Sequence, residues 1–207
     1  MNVQSLYAQY QVPTNLQQHM LRVAAVAQII VSAWHGPPIH PTAIIQTCLF
    51  HDIAKPVTFD MAKQRQFLST DEEIEAVASL KAWLIKTYGE NEHQAAKKIF
   101  SEMQLSPRSL TLVDHLEWSY IPRLLAEKDI ESLIPIYADM RVGPQGILSL
   151  EDRLNDLVSR ATVDNPEQLR DSGLQLEKLL QTYTHVSLLE INNDQVKRVI
   201  RDQLWTI

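Results

Sequence analysis

A single cysteine, Cys48, sits in an apolar run with Ile44, Ile45, Leu49 and Phe50. One thiol excludes a disulfide framework within the chain; the position reads as a buried small hydrophobe, and a reducing compartment suits it. Basic runs are also missing. The formal net charge is −6, with no interleaving of aromatic and basic residues. A nucleic-acid groove is therefore not expected as the main function. A small phosphorylated substrate stays open, because a few local cations serve it. Long hydrophobic runs are absent. The most apolar stretch, Val23 to Trp34, is interrupted by Gln28 and Ser32 and falls short of the roughly 20 apolar residues of a membrane span. Met1 to Tyr10 has neither the positive nor the apolar region of a secretory signal. The expectation is a soluble, cytoplasmic protein with no membrane partner. Strand alternation, hairpin dipeptides, repeats and low-complexity tracts are missing too.

What is present is helical periodicity and enough apolar material for a sizeable core. Of the 207 residues, 45% are hydrophobic, so no metal is needed merely to fold the chain; any metal must be justified by chemistry. Leu16, His19, Val23, Val26 and Ile30 share one helix face. Pro41 suits the first position of a second helix, expected to run to Lys55-Pro56. After a polar stretch from Thr58 to Ser69, Thr70 with Glu73 forms a capping-box pattern and Gly89 a C-cap. Asn91 with Gln94, Ser106-Pro107, Ser149 with Asp152, Asn165-Pro166 and Asn192 or Asn193 mark further starts. The fold class expected is all-α, with about nine helices. Residues 1–164 are expected as one domain. Residues 165–207 are expected as a helical extension on the core or on a partner subunit, which would make a homodimer possible.

His51-Asp52 is the first candidate for chemistry, since imidazole and carboxylate are ligands that borderline divalent metals accept. Seven histidines and twelve aspartates in 207 residues give about 0.4 such pairs by chance, so the dipeptide alone decides little. Context adds to it: an Asp after Leu49 and Phe50 is costly at a core-facing position unless paired or metal-bound. Lys55, four residues after His51, suits phosphate as a point charge and equally suits a helix C-terminus. His19 lies on an apolar face, where a lone His is usually a hydrogen-bonded core residue. Asp139, flanked by Tyr137, Ala138 and Met140, needs a partner: a metal, or Arg141 or Arg153 in a structural ion pair. Arg22, three residues from His19, reaches the same side or a solvated face. His35, His40 and His185 sit near turns or helix ends and read as surface or capping residues.

Three segments in order, His19 to Ala24, Leu49 to Lys55 and Tyr137 to Val142, resemble the HD superfamily of metal-dependent phosphohydrolases. The resemblance covers roughly residues 15–160. Tyr137 to Leu154 is also similar to a little-characterised bacterial subgroup with a Tyr-x-Asp-Met-Arg-Val stretch. It implies an HD-domain helical bundle with His19, His51, Asp52 and Asp139 around one divalent metal (Mn, Fe, Co, Zn, Ni or Mg). It also implies hydrolysis of a phosphomonoester or phosphodiester, usually of a nucleotide, by a metal-activated water. Asp52 and Lys55 are then the catalytic candidates, and Lys55 and Arg22 the substrate-binding cations. Glu92 or Glu117 would orient the water or protonate the leaving group. The order of His93 and His115 resembles two-metal members, in which Asp52 would bridge both ions. Against that stand a surface His93 and a buried, hydrogen-bonded His115. A regulatory protein that binds a metal or nucleotide without turnover is the alternative.

Overall fold

A computed structural model of the chain describes residues 2–65, 68, 70–160 and 165–206. Helices α1 (Val3–Gln9), α2 (Thr14–Ser32) and α3 (Pro41–Phe50) lead to a 3₁₀ turn (Lys55–Thr58). Helices α4 (Met61–Gln64), α5 (Asp71–Tyr88), α6 (Glu92–Glu102), α7 (Pro107–Asp114), α8 (Ile121–Glu127) and α9 (Ile130–Met140) follow. A small hairpin, β1 (Val142–Gly143) and β2 (Gly146–Ile147), precedes α10 (Leu150–Arg160), α11 (Pro166–Gln181) and α12 (Asn193–Gln203). The fold is all-α, as expected, and no helix among the described residues is long and apolar enough to cross a membrane.

Local signals place most helix ends. Thr70 and Glu73 form a reciprocal capping box, Asn192 and Gln195 another, and the side chains of Asn91, Ser106 and Asn165 accept from backbone N–H groups in the first turn. Ser149 Oγ accepts from the Asp152 N–H. Gly89 closes α5 at φ +99°, a conformation a side chain would strain.

Three expectations need correction. The described residues hold twelve helices rather than nine, because α1, α4 and α8 span only 7, 4 and 7 residues and are too short to display a period. The hairpin was not expected; its strands have two residues each, joined through Gly143 and Gly146, so alternation has no room to appear. Helix α3 ends at Phe50, not at Lys55-Pro56. From there the chain tightens into i→i−3 turns, with Ile53 N–H on the Phe50 carbonyl and Lys55 N–H on the Asp52 carbonyl. Of the polar stretch, residues 66, 67 and 69 lie outside the described residues, as do residues 161–164 beside the expected domain boundary.

Helix α2 is the centre of the bundle. Val23, Ala24, Ala25, Val26 and Ala27 are fully buried, and these small side chains admit α3, α9 and α12 close around it. The C-terminal segment shares the same core through Leu176, Leu180, Leu188 and Val196. Arg141, just past α9, ties that segment down. It is 2% exposed and donates to the carbonyls of Leu148, Leu188 and Ile191 and to the Tyr137 hydroxyl. Tyr137 in turn donates to Glu177 on α11 at 2.8 Å.

Candidate metal centre

Helices α2, α3 and α9 pack on one another, and each brings one polar group to a shared point. His19 projects from α2. His51 caps α3, with Asp52 in the turn after it. Asp139 stands one residue before the end of α9. His19 Nε2 lies 2.9 Å from Asp139 Oδ1, and His51 Nε2 lies 3.6 Å from the same oxygen. Asp52 Oδ2 is 3.8 Å from both imidazole nitrogens. Ligand atoms about 2.1 Å from a common ion stand about 3.0 Å apart along an octahedral edge and about 3.4 Å along a tetrahedral one. The observed spacings bracket these values.

The state of His51 also fits an ion. Its Nδ1 faces the Cys48 carbonyl at 2.9 Å; a carbonyl only accepts, so Nδ1 carries hydrogen and the second nitrogen is left to coordinate. That second nitrogen, Nε2, is buried and has no hydrogen-bond partner. His19, His51 and Asp139 have ligand atoms within 4.8 Å of one another and are placed to hold a metal ion, with Asp52 beside them. Burial works against a charge on His51, but Asp52 and Asp139 outweigh it and raise its pKa to about 9. Burial would likewise push the Asp139 carboxyl up; His19 and His51 overcome this and hold it well below the usual carboxylate range. Asp139 forms no ion pair with Arg141 or Arg153: its partners are the two imidazoles.

The centre opens into a cavity of about 530 Å³. Lys55 lines it, its Nζ 3.1 Å from Glu92 Oε1. Burial disfavours the ammonium, but Asp52 and Glu92 outweigh that and raise its pKa. Glu92 also accepts from the Thr58 hydroxyl, and Glu117 lines the cavity as well. Val113, Leu116, Trp118, Ile136 and Leu157 supply an apolar wall.

The remaining candidates part company. His93 faces the cavity, but its Nε2 is on Asp114, whose other oxygen accepts from Lys97 at 2.7 Å. His115 is not brought to the centre. Its Nδ1 contacts Ser132 Oγ at 3.0 Å and lies 3.4 Å from Asp129 Oδ2. These groups sit at the start of α9, and the seven residues from Ser132 to Asp139 are about 10 Å of helix. Arg22 turns away too. It donates to the Pro144 carbonyl and lines a separate hollow of about 330 Å³ beside α12. Of the other histidines, His40 pairs with Glu131, and His35 stacks on His185 at 4.0 Å. Sequence reasoning missed Arg153 as a cavity residue, although its i,i+4 spacing from Leu157 put it beside the apolar face of α10.

The family model that matches the chain is the HD domain, over residues 16–138. That is more than half of the sequence, and the chain belongs to the HD domain family, whose members are typically metal-dependent phosphohydrolases. His19, His51 and Asp52 fall inside the matched span, and Asp139 is the next residue after it. No curated protein and no solved structure matches the chain.

Proposed function

We propose that the protein is a phosphohydrolase that uses one divalent ion to cleave a small phosphomonoester or phosphodiester, a nucleotide by preference. The observation that carries this reading is the convergence of His19, His51 and Asp139, with Asp52, at one point, where His51, Asp52 and Asp139 line the wall of one cavity. Its volume of about 530 Å³ falls within the roughly 300–1,000 Å³ of small-molecule sites. The apolar wall around Trp118 suits a planar organic group such as a base.

When bound, the ion lowers the pKa of a coordinated water and polarises a phosphoryl oxygen. The protein's residues do the rest. His19, His51, Asp52 and Asp139 are the proposed ligands. The Cys48 carbonyl holds His51 in the tautomer that presents Nε2. Lys55, steadied by Glu92, neutralises charge that builds on the phosphoryl oxygens. Leu116, Trp118 and Leu157 keep bulk water from the reacting group. His115 is taken up by Ser132 and Asp129 at the start of α9, which favours one ion over two.

The test is metal analysis with a substrate panel. Protein supplied with Mn, Co or Mg should hydrolyse at least one phosphomonoester, cyclic nucleotide or dinucleotide, and lose activity with chelator or on His51→Ala substitution. Full metal loading without turnover on the whole panel, with a nucleotide retained intact through purification, would instead make this a binding protein.

A further inference from the structure

Arg153 is the second buried atom site that asks for a ligand. Among the described residues, two buried side-chain nitrogens lack a hydrogen-bond partner, His51 Nε2 and Arg153 Nε. Both residues line the same cavity. Buried polar atoms are nearly always paired, so an orphan calls for an explanation at its own site. The two orphans have opposite chemistry. The imidazole nitrogen, once its proton has left, offers a lone pair, which a cation takes. The guanidinium Nε–H offers only a proton, which an anion or another acceptor takes.

The charge in the cavity sharpens this. Five carboxylates line it (Asp52, Glu90, Glu92, Glu117 and Asp139) against two permanent cations, Lys55 and Arg153. Lys55 is engaged by Glu92. Arg22 lies in another hollow. Arg153 donates from Nη1 to Asp156 at 2.8 Å, which fixes the guanidinium on its own helix, and its side chain keeps 17% exposure. Leu157, one turn further along α10, lines the cavity beside it.

We infer that Arg153 binds the phosphate oxygens of the substrate, supplying the planar donor fork that the metal-ligand cluster lacks. This rests on the phosphohydrolase reading. The fork suits phosphate better than a lysine does, because two N–H groups engage two oxygens at once. Helix α10 (Leu150–Arg160) lies wholly beyond the matched residues 16–138. The anion-binding position therefore lies outside the matched span, and with Leu157 it sets which phosphate esters fit.

The probe is inorganic phosphate, titrated calorimetrically into the Mg-loaded 207-residue protein. Wild type is compared with Arg153→Gln and Arg153→Lys, with metal content and thermal melting measured on each. Phosphate affinity should fall about tenfold or more in the Gln variant, with part of it recovered by Lys, while metal content stays unchanged. With a hydrolysed substrate, KM should rise more than kcat falls. If wild type binds phosphate and the Gln variant binds it equally well, the assignment of Arg153 is wrong while the phosphohydrolase reading stands. If metal-loaded wild type neither binds phosphate nor hydrolyses any ester, both fall. If the Gln variant does not fold, the Lys variant decides, since it keeps the charge but not the fork: unchanged affinity there overturns the inference.

Discussion

Removing the metal and raising the pH should move stability and metal affinity in opposite directions. In the metal-free protein His51 takes a proton with a pKa of about 9, against 6.5 for an ordinary histidine. Its side chain is 4% exposed, so solvent screens the neighbouring carboxylates little. The raised folded-state value means that the folded protein binds this proton more tightly than the unfolded chain does. The resulting stabilisation, about 3 kcal/mol, is complete below about pH 6.5 and is lost as pH rises through 9. A metal ion must displace the same proton from Nε2. Its apparent affinity should therefore rise about fiftyfold between pH 7 and 9, while Asp139 stays ionised throughout. Urea denaturation of chelator-treated protein measures the first effect. Competition with a chelator of known pH-dependent affinity measures the second, with His51→Gln as the control that abolishes the slope. Metal affinity that stays flat from pH 7 to 9 in wild type would refute the reasoning, because His51 would then not exchange its proton for the ion.

Asp139→Asn should reduce bound metal well below one ion per chain, read by elemental analysis, since it removes the carboxylate nearest to both imidazoles. Arg141→Met should lower stability by about 3–5 kcal/mol without changing metal content, because it strands the carbonyls of Leu148, Leu188 and Ile191; urea denaturation midpoints check this. His115→Ala should keep full metal content and lose about 1–2 kcal/mol of stability. A drop in bound metal there would restore a two-ion site. Gly146→Ala should destabilise by about 1–3 kcal/mol in a thermal melt, since φ is +144° and the new Cβ would crowd the Asn193 side chain.

Much of the fold was legible because its signals are local. A capping residue and its backbone partner lie within one turn, so Thr70-Glu73, Asn91-Gln94 and Ser149-Asp152 mark helix starts wherever the helices later pack. The 3, 4, 3, 4 spacing on α2 predicted a buried face in the same way, and that face became the centre of the bundle. Shorter pieces gave no such signal. Helices of one or two turns and strands of two residues end before a period can repeat.

The candidate centre divides along the same line. Sequence by itself determined the residue types and their order: a histidine on an apolar helix face, a His-Asp pair ending the next helix, and an aspartate late in a third. Only the tertiary structure decided which side chains meet. His93 and His115 are equally plausible ligands by type, yet one faces the cavity from Asp114 and the other is held against Ser132. Arg22 and Arg153 are both cations on helices near the centre, yet the first reaches Pro144 and the second the cavity wall. Helical spacing limits a side chain to one side of its own helix. Where its charged end comes to rest depends on acceptors contributed by other helices, and those are known only once the helices have packed.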